Sequence, residues 1–264
     1  MTFSEKLHVL CSLPKTLRFN FHYFPFRTAL RCPVMVSRRV YLRELHGKVV
    51  LPERVETAMV KIGFGDVGHY DRRRSRSIWQ VSGEVVFKGK ASIGHGSKLS
   101  VRGRLELGDG FNITAESTMA CAKEILFGSD CLISWDVLVM DTDEHPIYNK
   151  EGERINEDRP IIVGNHVWIG CKCMLLKGAE LPDHTILAAG TALRSAFHGE
   201  EQIIGGNPPS ILKREVRWEL GVRSEELVLP EPGRQSLSII EQRFLKISGI
   251  SPTPLTGWRF PLAS

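Results

Sequence analysis

Between residues 163 and 193 the chain places an aliphatic residue at every sixth position without a gap. The positions are Val163, Ile169, Leu175, Leu181, Leu187 and Leu193. An α-helix repeats its apolar face about every 3.6 residues and a half-buried strand about every 2, so neither element produces a strict period of six. The period indicates a chain that runs straight briefly, turns a corner and runs straight again, stacking coil on coil into a β-helix.

A second pattern accompanies the first. Four positions after the aliphatic residue the chain carries a small or β-branched residue, at Ser97, Val167, Cys173, Ala179, Thr185 and Thr191. Such residues suit the narrow interior of a prism, where chain neighbours crowd. Glycine often follows the aliphatic position, at Gly94, Gly108, Gly128, Gly164 and Gly170. We expect these glycines to supply the backbone angles that corners demand.

The rhythm divides the chain into three regions. Residues 1–60 form a basic and aromatic N-terminal arm or cap, in which Pro14, Pro25 and Pro33 limit helices to short lengths. Residues 61–209 form the β-helix, whose hexads slip by two residues twice and are interrupted by a long polar loop over 141–160. Residues 210–264 form a C-terminal helix and tail, and we expect the helix, over 210–220, to cover the open end of the coils.

Composition narrows the class of protein. Of the 264 residues 42% are hydrophobic and 25% are charged, and no apolar run approaches the length that spans a bilayer. The N-terminus lacks the pattern of a secretory signal, so we expect a cytoplasmic protein. The six cysteines show no paired spacing, and we expect free thiols.

The positive charge is concentrated at the N-terminus. Residues 1–50 contain nine Lys and Arg against two Glu, together with an aromatic cluster at Phe19, Phe21, Tyr23, Phe24 and Phe26. Packing of the aromatics against the scaffold is one interpretation. Peripheral contact of residues 15–43 with an anionic membrane is another, since rings and cations both suit headgroups. Nucleic acid is not an expected partner.

Three segments carry a resemblance to a known family. They read LISWDVLVMDTDEHPI over 132–147, PIIVGNHVWIG over 160–170 and GNPP over 206–209. With the hexads, they resemble the hexapeptide-repeat O-acetyltransferases, and most of all the branch that acetylates capsular or lipopolysaccharide sugars, relatives of galactoside and maltose acetyltransferases. The resemblance covers roughly residues 60–213. It implies an all-β, left-handed parallel β-helix, a homotrimer, acetyl-CoA bound between subunits and a carbohydrate acceptor.

His145 is the expected catalytic residue. Transfer of an acetyl group to a sugar hydroxyl needs a base that takes the alcohol proton, and imidazole suits this near neutral pH. In the resembling family the histidine of this His-Pro segment has that role. A neighbouring carboxylate would fix its tautomer. We favour Asp143, although Asp141 and Glu144 are close rivals.

The resemblance also implies contacts for other residues. The predicted contacts with acetyl-CoA are at Trp168, Cys171, Ala189 and Lys213, the last with the phosphates of CoA. The predicted contacts with the acceptor are at Asn112, Trp135 and Asp141. We expect direct transfer rather than an acyl-cysteine intermediate, because Cys173 falls at an inward position and no histidine lies near Cys171 in the sequence.

Two other functions remain open at this point. His166 and His184 lie 18 residues apart, which is three hexads, so their rings should stack on one face. Stacked imidazoles suggest zinc, as in carbonic anhydrases of the γ type, but no third histidine falls in register and no metal is expected. A β-helix without catalytic activity, serving as an assembly scaffold, is the second alternative.

Overall fold

The structure is a computed structural model that describes residues 3–65, 67–71 and 74–220. Within them lie two helices, α1 (Phe3–Tyr23) and α2 (Phe26–Ala29), followed by short strands. The strands are β1 (Val34–Val36), β2 (Val40–Glu44), β3 (Lys48–Val50), β4 (Val60–Phe64), β5 (Ser77–Val81), β6 (Glu84–Phe87), β7 (Ala91–Gly94), β8 (Lys98–Val101), β9 (Arg104–Leu107), β10 (Phe111–Ile113), β11 (Thr118–Cys121), β12 (Glu124–Phe127), β13 (Leu132–Ile133), β14 (Leu138–Met140), β15 (Ile161–Val163), β16 (Trp168–Ile169), β17 (Met174–Leu176), β18 (Glu180–Leu181), β19 (Ile186–Leu187), β20 (Ala192–Leu193), β21 (Gln202–Gly205) and β22 (Ser210–Arg214).

The strands form three sheets, which the chain visits in turn. Sheet A has the order β1-β4-β7-β10-β13-β16-β19-β21-β22, sheet B has β2-β5-β8-β11-β14-β17-β20, and sheet C has β3-β6-β9-β12-β15-β18. Every pairing is parallel except that of β21 with β22. The all-β parallel β-helix predicted from the hexads is confirmed.

The two slips in the sequence rhythm have a structural cause. Ile93 pairs with Ile113, 20 residues later, whereas Ile169 pairs with Leu187, 18 residues later. The longer coils have four-residue strands in sheet C, such as β9, which turns both Leu105 and Leu107 inward. The shorter coils are pure hexads.

The core consists of the predicted inward positions. The six aliphatic residues of the uninterrupted series are buried, and so are the small residues at the second position of the pattern: Ser97, Val167, Cys173, Ala179, Thr185 and Thr191. The interior is therefore one continuous core, to which each hexad supplies one large aliphatic residue and one small or β-branched residue.

The recurring glycines have a different role from the predicted one. None of the five has a left-handed backbone; instead, a Cβ atom on Gly94 would lie 1.8 Å from the carbonyl oxygen of Thr114 in the next coil. Close stacking of coils excludes a side chain there. The left-handed corner positions are held by other residues, among them His166, Lys172 and His184, with φ between 53° and 58°.

The N-terminal region differs from the prediction in two ways. Helix α1 is long, running from Phe3 to Tyr23 with Pro14 inside it. Pro14 is exposed, so its ring meets no neighbouring coil. The β-helix also begins earlier than residue 61, because β1 to β3 already pair in register with β4 to β6. At the N-terminal end the coils begin at Val34.

Helix α1 closes the N-terminal edge of sheet A with side chains spaced four residues apart. Thr16 Oγ1 accepts from the Val36 amide at 3.0 Å and donates to its carbonyl at 3.2 Å. Asn20 donates to the Val34 carbonyl at 2.7 Å and accepts from its amide at 3.2 Å. Ser12 Oγ accepts from the Arg38 amide at 3.0 Å. These side chains supply the hydrogen bonds that another strand would otherwise make.

At the other end the predicted helix over residues 210–220 is wrong. Ser210–Arg214 is strand β22, which turns back and pairs antiparallel with β21 at the edge of sheet A. A hairpin uses backbone groups to satisfy the exposed edge, which a helix cannot do. The compact unit ends at Trp218, and the predicted tail over 221–264 lies outside the described residues. Neither α1 nor α2 is long and apolar enough to cross a membrane.

Candidate active site

Residues 141–160, the active-site loop, leave the coils where sheet B passes to sheet C, at the B–C turn. Asp141 anchors the start of this loop and is 0% exposed. Its Oδ1 accepts from the Ala122 amide at 2.7 Å, and its Oδ2 accepts from the amides of Lys123 at 2.8 Å and Glu124 at 2.7 Å. Both oxygens are therefore occupied, and the predicted contact of Asp141 with the acceptor does not fit this burial.

The two ends of the loop are also joined to each other, between Arg159 and Asp141, and we call this point the neck of the loop. The Arg159 amide, near the end of the loop, donates to the Asp141 carbonyl at 3.2 Å. Further along, the guanidinium of Arg102 donates to the Glu144 carboxylate at 2.9 Å. The loop is thus fixed to the β-helix at its neck and again at Glu144, immediately before His145.

His145 is exposed at the outer part of this loop. Its amide donates to the Asp143 carbonyl at 2.7 Å across Glu144, whose φ is 61°. This is a tight three-residue turn with a left-handed central residue, a conformation that costs energy for any residue but glycine. The turn presents the imidazole to solvent.

Asn156 bonds to three groups of the loop around His145. Its Nδ2 donates to the His145 carbonyl and to Asp143 Oδ2, both at 2.8 Å, and its Oδ1 accepts from the Ile147 amide at 2.6 Å. Asn156 is nearly buried, at 8% exposure. It therefore holds three points of the loop in a fixed relation and orients the segment that carries the imidazole.

Asp143 has a different partner from the predicted one. Its carboxylate pairs with the ammonium group of Lys177, which follows β17 at the next B–C turn, and with Asn156. The hydrogen bond from Lys177 is the largest cause, and that from Asn156 the next, of a pKa below the ordinary value for Asp143. Among the described residues no carboxylate bonds to the imidazole of His145, so the predicted Asp143–His145 pair is not formed in this chain.

Three predicted residues come together where sheet A passes to sheet B, at the A–B turn. Trp135, Cys171 and Ala189, called here the corner column, occupy this turn in consecutive coils. The Lys172 amide donates to the Trp135 carbonyl at 3.1 Å, and the Gly190 amide donates to the Cys171 carbonyl at 2.9 Å. All three have solvent-accessible surface.

A second loop, between β4 and β5, covers part of the corner column. The ring of His69 lies 4.4 Å from that of Trp135, and the hydroxyl of Tyr70 donates to Asp136. Burial, followed by the hydrogen bond to Asp136, raises the pKa of Tyr70 to about 12. Trp135 is therefore partly covered by the β4–β5 loop rather than isolated on the surface.

Two further predicted residues lie on the side of sheet A that faces away from the core. Asn112 pairs with Leu132, which in turn pairs with Trp168. Trp168 is 37% exposed, and its Nε1 donates to Ser134 Oγ at 3.1 Å. Lys213 is exposed on β22, at the end of the same sheet. Sheet A and the A–B turn thus collect the residues predicted to contact acetyl-CoA.

The imidazole and the corner column lie on different corners of the prism. Strand β14 separates them, and three residues at about 3.3 Å each span roughly 10 Å. Within the described residues no hydrogen bond or ring contact joins His145 to Trp135, Cys171 or Trp168.

His166 and His184 lie next to each other on successive coils, as predicted, with ring centroids 5.4 Å apart, but their rings are tilted by 53° and are not stacked. The ring of His166 is used elsewhere, however. Trp218 stacks on it at 4.4 Å, and His166 Nε2 donates to the Trp218 carbonyl at 3.0 Å. Trp218 Nε1 donates back to the His166 carbonyl at 2.9 Å. No set of three ligating side chains suited to a metal occurs in the described part of the chain.

The described thiols divide into buried and accessible groups. Cys173 points into the core as predicted, and burial raises its pKa to about 11. Burial likewise raises the pKa of Cys121 and of Cys131 to about 12. These thiols are protonated near neutral pH and cannot act as nucleophiles.

Asn156, Lys177 and Trp218 contact residues of the candidate site and were not among the predicted residues. Asn156 and Lys177 lie in stretches where neither a motif nor the resemblance marks them. The only available signal for Lys177 was its place immediately after an inward aliphatic hexad, at a B–C turn. Trp218 lay within a segment predicted as helix.

Comparisons with known proteins bear on this arrangement. No protein-family model matches the chain. Over 81 residues, or 30% of the chain, it is 40% identical to a polysialic acid O-acetyltransferase from Neisseria meningitidis, and over 132 residues, or 50% of the chain, 27% identical to one from Escherichia coli O1:K1 / APEC. These matches span 35% and 41% of the relatives' own lengths, so the chain covers well under half of each.

One solved structure, of a polySia-specific acetyltransferase, superposes with a TM-score of 0.43 at 23% sequence identity, covering 73% of this chain and 81% of that one. The sequence matches confirm the predicted resemblance: over part of its length this chain is similar to polysialic acid O-acetyltransferases.

Proposed function

We propose that this protein is an O-acetyltransferase, which moves an acetyl group from acetyl-CoA to a hydroxyl of a carbohydrate. The partial homology to polysialic acid O-acetyltransferases carries the proposal. The exposed imidazole of His145, held by Asn156, is the structural feature that supports it. A capsular or lipopolysaccharide glycan precursor is the proposed acceptor, and polysialic acid is the first to test. Neither the zinc enzyme nor the inert scaffold is favoured, since the relatives are acetyltransferases.

The proposed reaction is direct transfer. His145 takes the proton of the acceptor hydroxyl while that oxygen attacks the thioester carbonyl. The tetrahedral intermediate collapses with loss of the CoA thiolate, which recovers a proton, and the acetyl ester remains on the sugar. The role of Asn156 is positional, since it bonds to the backbone carbonyl of the base and to the Ile147 amide. No acyl-cysteine forms, in keeping with the raised pKa of Cys173.

We further propose that the complete site lies between copies in a homotrimer. The active-site loop of one copy would face sheet A and the corner column of another, which brings His145 to Trp168, Cys171 and Ala189. Lys213 would then meet CoA phosphates, and Asn112 and Trp135 the acceptor. The separation of the two groups on different corners of one chain supports this arrangement.

The proposed place of action is the cytoplasm, at or near the inner face of the membrane. Acetyl-CoA is available there, and residues 15–43 supply the basic and aromatic surface. A glycan precursor would be acetylated before it leaves that compartment.

The test is acetyl transfer by His145→Ala. We expect its turnover with acetyl-CoA and polysialic acid to fall by about 10²- to 10⁴-fold, the usual contribution of a general base. His46→Ala, which removes an exposed imidazole in the first coil, is the matched control and should keep full activity. Release of CoA and acetylation of the polymer by mass spectrometry are the two readouts.

Undiminished transfer by His145→Ala would refute the proposed base. If the wild-type protein acetylates no carbohydrate in the presence of acetyl-CoA, the proposed function is refuted, whether or not the protein binds acetyl-CoA.

A further inference from the structure

The first helix has two unlike long faces. One face, with the buried side chains of His8, Ser12, Thr16 and Asn20, bonds to the edge of the first coil and its following turn. At about 100° per residue, the positions 7, 10, 17 and 21 fall on the opposite side of the helix. That side faces away from the β-helix, and in a water-soluble helix it would be polar.

The side of α1 that faces away from the β-helix is apolar instead. Between 41% and 67% of the surface is exposed at each of Leu7, Leu10, Leu13, Leu17, Phe21, Phe26 and Leu30. The rings of Phe21 and Phe26 lie 5.7 Å apart, which joins the stripe on α1 to α2. We call this set the outer face. A contiguous apolar patch of this kind marks an interaction site rather than scattered surface residues.

Cations surround the outer face, and carboxylates are absent from its sequence. Residues 6–43 contain eight Lys and Arg and no Asp or Glu. Lys6, Arg18, Arg27 and Arg31 are exposed beside the apolar side chains. Lys15 turns toward the first coil instead, where its ammonium group donates to the carbonyls of Arg38 and Val40. Burial, followed by the nearby charges of Arg76 and Arg18, lowers the pKa of Lys15. The charge next to the patch is therefore of one sign.

Apolar side chains with a rim of cations are complementary to an anionic lipid surface. The apolar chains enter the boundary between headgroups and acyl chains, and the cations remain at the phosphates. A second copy of the chain would match the apolar stripe but would bring the same cations together. Nucleic acid would match the cations but leave the aliphatic side chains in water.

We propose that the outer face docks on anionic membranes, with α1 lying flat in the interface. Because α1 covers the edge of the first coil, the N-terminal end of the β-helix faces the lipid. In sheet B four strand spacings of about 4.8 Å separate β2 from β14, so the active-site loop lies roughly 20 Å along the coils from the first coil. Helix α1, about 10 Å across, lies between the first coil and the lipid. The significance of this distance rests on the proposed function, because a glycan tethered to the membrane would have to extend that far to meet His145.

Co-sedimentation of the full chain with vesicles tests the proposal. The vesicles contain phosphatidylcholine alone or with phosphatidylglycerol. We expect binding only to the anionic vesicles, weakened by salt. The triple variant Leu10→Ser, Leu17→Ser and Phe21→Ser should lower the affinity by about tenfold or more. Leu212→Ser, at another exposed leucine, is the matched control and should bind as the wild type does.

A charge variant probes the cations separately. Arg27→Glu with Arg31→Glu should lower the affinity by about 25-fold or more, because each cation near an anionic surface contributes roughly fivefold. Lys61→Glu with Lys150→Glu makes the same change in net charge at exposed positions outside the outer face and should have a much smaller effect. Thermal unfolding of each variant checks that α1 still packs.

Several outcomes would overturn the proposal. They are absence of binding to anionic vesicles, equal binding to neutral vesicles, an oligomer that dissociates only in the triple variant, or an RNA that competes with vesicles for the wild type. Acetyl transfer to a soluble acceptor should be unchanged in the triple variant. Loss of vesicle binding alone would thus leave the proposed function standing, and loss of transfer alone would leave the docking surface standing.

Discussion

Replacement of Asp141 by Asn should weaken the attachment of the active-site loop to the β-helix at the residue where the loop begins. The carboxylate accepts hydrogen bonds from the amides of Ala122, Lys123 and Glu124, all within 2.8 Å, and is shielded from solvent. A side-chain amide of the same shape has one accepting oxygen. In its better orientation the new side chain would keep the two bonds of Oδ2 and turn its NH₂ group toward the Ala122 amide.

The cost follows from these contacts. One buried N–H is left without an acceptor, at about 1–3 kcal/mol, and two hydrogen bonds lose their charge, at about 1 kcal/mol each. The expected loss of unfolding free energy is therefore about 3–5 kcal/mol. If the neck opens by itself, the loss is limited to the free energy of that local opening.

Urea unfolding and amide hydrogen exchange measure the two parts. Faster exchange at Ala122, Lys123 and Glu124 reports the opened neck, and the shifted midpoint reports global stability. Asp130→Asn makes the same change at an exposed carboxylate and should alter stability by about 0.5 kcal/mol or less. A loss below about 1 kcal/mol for Asp141→Asn, with unchanged exchange at the three amides, would refute this account of the anchor.

Two further outcomes are expected. Lys177→Met should raise the pKa of Asp143 toward its ordinary value, because the Lys177 ammonium group is the main cause of the lowered pKa. A carbon-13 titration of the Asp143 carboxyl measures that pKa, and an unchanged pKa would contradict the pairing. The pair stabilises the fold above the ordinary carboxyl pKa, and that stability is lost as pH falls through the lowered one, so the variant should lack this acid-dependent loss. Near neutral pH, iodoacetamide should modify the native thiols with accessible surface and spare those with raised pKa, and mass spectrometry distinguishes the spared set, Cys121, Cys131 and Cys173, from Cys11, Cys32 and Cys171.

The interior of the fold could be predicted from the sequence because burial there is periodic. Each inward position, from Ile93 to Leu193, follows from counting residues, and so does the closeness of His166 to His184. The role of the glycines was misjudged, since the distance between coils is a property of the stacked structure. A Cβ on Gly94 is excluded by Thr114, which is 20 residues away in sequence.

The ends and the active-site loop were harder for a related reason. No period operates in residues 141–160, so pairing of Asp143 with Lys177, 34 residues later, left no signal in the spacing. Pro14 suggested a short helix, but packing of Thr16 and Asn20 against β1 stabilises a long one. Contacts that depend on tertiary packing override local propensity in both places.

The side-chain cap on α1 has a consequence for the order of events during synthesis. Ribosomes release the N-terminus first, and domains begin to fold in that order. Helix α1 is therefore synthesised before β1, and we expect it to cover the first edge of sheet A as the first coil forms. The hairpin partner β22 is the last strand of sheet A to be synthesised. We therefore expect that sheet to stay open to a foreign strand at its other edge until the hairpin forms.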